Sequence, residues 1–194
     1  MNKHTVISGN TAGRQARRAK APAEMSLKPR VTAIARDTTE VVRFAGGWLF
    51  DKAMAGWDVN VLTLDDDLRS LRILGVNSHD LASVLESRAA LGHCLQAIAV
   101  PEELYLSDPG VRKIASAALN SAPGELLLWG DGVPADLGRQ PGNYPHLRRA
   151  PRPVQHHLSF AARAFKAQAL AAARIPDPGA VVSEAESFRS VSVA

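Results

Sequence analysis

Three consecutive aspartates, Asp65, Asp66 and Asp67, follow a β-branched and apolar run that ends at Leu64, and a fourth, Asp131, stands just past the run Leu126 to Trp129. Ligands of open parallel sheets gather beyond the carboxyl ends of the strands, so acids at two neighbouring strand ends can converge on one site. All four are candidates for catalysis, and Asp66, Asp67 and Asp131 could together hold Mg²⁺ through oxygen ligands completed by water. The competing reading is that the triplet caps a short turn, where aspartate is favoured because it bonds its own local backbone.

Other chemistry is thinner. His146, His156 and His157 have no second cysteine and no HExxH spacing to make a zinc site. Cys94 adjoins His93, but neighbours on a strand point to opposite faces, so the thiol reads as a small buried hydrophobe. Gly130, Gly132, Gly138 and Gly142 match neither GxGxxG nor GxxxxGK[ST], so no phosphate cradle follows from them.

Charge is strongly segregated. Residues 1–36 carry eight Lys or Arg against one acid, 37–136 carry seven against fifteen, and 137–175 carry seven against none, within a formal net charge of +4. Arg14, Arg17 and Arg18 near one end, and Arg148, Arg149 and Arg152 near the other, are candidate contacts to nucleic acid or another polyanion. Aromatic residues are sparse beside them, which weakens a single-strand stacking role, and the same arms can instead rest on the acidic middle of the chain. The lone cysteine suits a reducing compartment, so the cytoplasm is expected, with no cofactor required beyond the Mg²⁺ just considered. No membrane role is expected, because no stretch approaches the roughly 18 apolar residues of a spanning helix. Nor does an apolar block follow the Arg17-Arg18 pair as an export signal requires.

The elements that would position these groups centre on residues 37–64. Asp37 with Glu40 three residues on forms a capping box, Val41, Phe44, Ala45, Trp48 and Leu49 keep helical spacing, and Gly56 stops the helix before a strand. Gly46 and Gly47 interrupt it, which suggests close approach to a sheet. Leu71 to Leu74 reads as a second strand, Ser78 to Arg88 as a helix, Leu95 to Val100 as a strand stopped by Pro101, and Asp108-Pro109 as a helix start.

This alternation predicts an α/β fold, a small and mainly parallel sheet flanked by helices, with a basic disordered N-terminal arm and a C-terminal helix. The expected divisions are an arm at 1–36, a core domain at 37–130, a Gly/Pro-rich loop at 131–153, a basic amphipathic helix at 154–175 and a flexible tail at 176–194. On this evidence the sequence favours a cytoplasmic binding or regulatory module over an enzyme, working through protein partners, self-association or nucleic acid at its basic flanks. The alternative is a small Mg²⁺-dependent enzyme that uses the strand-end aspartates.

Overall fold

The computed structural model describes residues 28–87, 95–121, 124–130, 147 and 150–192. Strand β1 (Arg30–Ile34) leads to helix α1 (Thr38–Met54), β2 (Asp58–Thr63), the short α2 (Arg69–Ile73), β3 (Asn77–Asp80) and α3 (Leu81–Ser87). Then come β4 (Leu95–Pro101), α4 (Glu102–Ser107), α5 (Pro109–Ser121) and β5 (Glu125–Trp129). The last part holds β6 (Arg152–His157), α6 (Phe160–Ala172), α7 (Pro178–Val181) and β7 (Ala185–Ser192). The strands make one seven-stranded sheet in the order β3-β2-β1-β4-β5-β7-β6. The first five are mutually parallel, and β7 runs antiparallel to both β5 and β6.

Each face of the sheet is covered, as parallel sheets require. One core gathers Val31, Ala33, Val61 and Leu127 of the sheet against Val41, Leu49, Leu71, Leu74 and Leu170, carried by α1, the α2 turn and α6. The other sets Ile34, Ile98, Val100 and Leu128 against Leu104, Tyr105, Val111 and Ala115 of α4 and α5.

The α/β expectation holds, while several elements differ from the sequence reading. The arm assigned to 1–36 contains β1, a central strand whose last four residues are buried, because its basic flanks masked the apolar run Val31 to Ala35. Leu71 to Leu74 is a helical turn, with Leu71 and Leu74 both buried three residues apart. Asn77 to Asp80 is an edge strand, too polar to show a pattern, and Asp80 caps α3 by accepting from Ala82 N and Ser83 N. Glu102 and Glu103 open α4 directly after Pro101. Residues 152–157, divided between a loop and a helix in the sequence reading, form β6, whose Pro153 is tolerated in the sheet's last strand. The supposed tail supplies β7 between β5 and β6. Its buried residues are Glu186, Phe188, Ser190 and Val191, and two of the four are polar.

α1 begins as expected, with Asp37 accepting from Glu40 N at 2.7 Å. Its glycines, however, face side chains of α6 and its approach. A Cβ on Gly47 would stand 2.5 Å from Leu158 Cδ1, and one on Gly46 would meet Leu74 and the stem of Lys166.

Candidate functional site

In this strand order the chain runs from β1 toward β2 and β3 on one side and places β4 and β5 on the other. The crevice beyond the carboxyl ends of β1 and β4 is therefore the topological switch point, the usual ligand position in such sheets. Four charged residues border it: Arg36 and Asp37 follow β1, Glu40 lies in the first turn of α1, and Glu103 in the first turn of α4.

Glu40 is the chemically distinct member. Burial pushes its carboxyl above the ordinary value of 4.5, and the negative charges of Asp37 and Glu103 add to the shift, while the Trp129 indole and Arg36 oppose it. Trp129 closes β5 and is fully buried; its Nε1 makes no hydrogen bond within bonding distance in this conformation. An acid whose proton affinity is raised at a strand-end crevice is suited to take and return a proton.

On the β2 side of Thr38 the surface opens into a cleft of about 250 Å³. It is lined by Thr38, Thr39, Asp65, Asp67 and Ser70, and by Arg174 at the end of α6. Asp65 is committed to architecture on one oxygen: its Oδ2 accepts from Thr38 N at 2.7 Å and Thr38 Oγ1 at 2.9 Å. Asp67 Oδ1 accepts from Arg69 N at 3.1 Å and so starts α2. Asp66 is exposed. The triplet thus does the turn and cap work that competed with the metal reading, although Asp65 and Asp67 do share a cleft.

Asp131 lies outside the described residues, as do Arg14, Arg17, Arg18, Arg148 and Arg149 and the Cys94-His93 pair. Arg152 is exposed on β6. The sequence reading missed Arg36, absorbed into the arm, and Glu40, seen only as half of a capping box. It also singled out neither Glu103 nor Arg174. Strand order brings Arg36, Glu40 and Glu103 to one crevice, and no local pattern encodes it.

No protein-family model and no curated relative matches the chain by sequence. Solved structures match its fold. A triple mutant of a deacetylase of the teicoplanin biosynthetic pathway superposes with a TM-score of 0.58 at 13% identity, over 84% of this chain and 98% of that one. The zinc-inhibited form of a teicoplanin deacetylase gives 0.56 at 12%, over 84% and 98%. The deacetylase of the A40926 pseudoaglycone gives 0.57 at 16%, over 86% and 99%. This likeness corrects the expectation of a binding or regulatory module built on basic arms, because the three superposed structures are described as deacetylases.

A metal centre is a separate question, decided by the donors present. Among the described residues no group of three His, Cys, Asp or Glu side chains is placed to hold an ion. The turn from β1 into α1 offers one carboxylate, Asp37, which caps α1, beside Arg36, Thr38 and Thr39. The Mg²⁺ site expected of Asp66, Asp67 and Asp131 depends on Asp131, which lies outside the described residues. Among them, too, no helix is long and apolar enough to cross a membrane.

Proposed function

We propose that this chain is an enzyme that hydrolyses an acyl-amide bond at the switch-point crevice, with Glu40 as its acid-base residue. The observation that carries the reading is Glu40 itself, partly buried, raised in proton affinity and set where ligands of doubly wound sheets bind. The deacetylase fold of the superposed structures supports the reaction class.

In this scheme the Glu40 carboxylate takes a proton from a water whose oxygen bonds to the acyl carbon. The Arg36 guanidinium, whose charge reaches Glu40, faces the negative charge that develops on the carbonyl oxygen. Glu40 then gives its proton to the amide nitrogen as the C–N bond breaks, leaving a carboxylic acid and an amine. A cytoplasmic setting belongs to the same proposal, supported by the single cysteine.

The test is release of acetate from simple N-acetylated amines and amino sugars by the purified full chain, with Glu40→Gln as its control. Loss of about 10²- to 10⁴-fold is expected of the variant, the range of a general acid-base group.

A further inference from the structure

Trp129 carries a buried hydrogen-bond donor that no described residue uses. Its side chain is fully buried, and Nε1 has no partner within bonding distance among the described residues. An indole N–H can only donate, and a buried polar atom left unbonded is costly enough that nearly all are satisfied. Position says where the acceptor lies. Trp129 ends β5, paired with Pro101 at the end of β4, and it joins the core on the face that α1 covers. Glu40 stands in the first turn of that helix, and the Trp129 indole favours its ionised carboxylate, as a donor aimed toward it does.

The other groups acting on Glu40 are of a different kind. Asp37 and Glu103 repel its charge and Arg36 attracts it, but all three are exposed, where water screens them and side chains turn freely. Trp129 alone among these groups is locked by packing, so it alone can fix a direction for the carboxylate.

We propose that Trp129 is the positioning residue of Glu40: its indole N–H donates to one oxygen of the ionised carboxylate and leaves the other turned to the crevice. The inference rests on the acid-base reading of Glu40. A bond to the ionised acid is stronger than one to its protonated form, so the contact tightens when Glu40 is ready to take a proton and slackens once it holds one.

The experiment is NMR titration of the isotope-labelled full chain without substrate. The indole N–H signals of Trp48, Trp57 and Trp129 are followed against pH in the wild type and in Glu40→Gln. The Trp129 signal is expected to move with the Glu40 carboxyl carbon in the wild type and to lose that transition in Glu40→Gln. In Trp129→Phe the Glu40 midpoint should rise by about one pH unit, as loss of a bond to a charged group implies, and the acid limb of kcat/KM should rise with it. The sign separates this from packing, because a loosened wall would admit water and lower the midpoint. The first readout leaves Trp129 intact and decides alone where Trp129→Phe does not fold. Both titrations are read on the free protein, so they judge Trp129 whether or not acetate is released. A Trp129 signal that ignores the Glu40 transition, one that keeps it in Glu40→Gln, or a Glu40 midpoint unchanged or lowered in folded Trp129→Phe overturns the proposal.

Discussion

Lys166 Nζ lies 2.6 Å from Glu186 Oε1, and the two side chains are only 1% and 2% exposed. The same carboxylate reaches the middle of α1, accepting from Gly47 N at 2.9 Å and Trp48 N at 2.7 Å. α6, β7 and α1 are therefore joined at one buried point. The paired glycines make it possible, because they bare the helix backbone to an approaching carboxylate and lysine stem.

This junction predicts an asymmetry. Burial outweighs Lys166 and raises the proton affinity of Glu186, so in Lys166→Met the acid can neutralise itself and keep its two backbone bonds. In Glu186→Leu the ammonium and two backbone N–H groups all lose their acceptor. Glu186→Leu should cost about 3 to 5 kcal/mol, as removal of one partner from a buried pair does, and Lys166→Met less. Urea unfolding of both at pH 7 reads the order; a larger loss in Lys166→Met would refute it.

Gly47→Ala should destabilise, although alanine is the better helix former, because its Cβ would fall 2.5 Å from Leu158 Cδ1. Overpacking of this kind costs about 1 to 3 kcal/mol. Gly46→Ala, with its nearest contact at 3.4 Å, should be close to neutral. Pairing Gly47→Ala with Leu158→Ala should recover part of the sum, and strict additivity in that cycle would place the clash elsewhere.

The corner between α1 and β6 supplies a pH prediction. Asp51 Oδ2 is 2.9 Å from His156 Nε2 and accepts from Ser159 N at 3.1 Å. Burial acts to raise the Asp51 carboxyl, but the Ser159 and His156 bonds prevail and hold it below its ordinary value of 3.8. A depressed acid binds protons more weakly in the folded state than in the unfolded one. Its stabilisation is present above 3.8 and fades as pH falls through the lower folded value. The stability gap between wild type and Asp51→Asn should thus narrow as pH falls from about 5 into stronger acid. Denaturation midpoints of both proteins across that range would show it, and a gap that widens in acid contradicts the assignment.

Where sequence and structure agree, a local rule decides the element. Asp37 caps α1, Gly56 at φ 83 ends it, and Asp108 Oδ1 accepts from Gly110 N and Val111 N to start α5. Where they part, a distant partner decides. Lys166 looks like a solvent residue until Glu186 arrives from β7, and β7 itself looks like a tail because its inward set includes that charge. Phe160, within the helix expected at 154–175, is 82% exposed because α6 begins at its cap Ser159 and not at Val154. The candidate site was legible only as strand-end acids. Its distinguishing groups, Arg36, Glu40 and Glu103, meet through the order of β1 and β4, which no short window of residues carries.

The measurement that bears most directly on the account is the pH dependence of acetate release by the wild-type chain and by Glu40→Gln. A base that must be ionised gives a rate that rises with pH through its own titration. The account predicts an acid limb in kcat/KM centred above 4.5 in the wild type, because Glu40 is raised, and its disappearance in Glu40→Gln together with about 10²- to 10⁴-fold of the rate. Acetate release by Glu40→Gln at the wild-type rate with an unchanged acid limb, or none from the wild type with any N-acetylated amine or amino sugar, would contradict it.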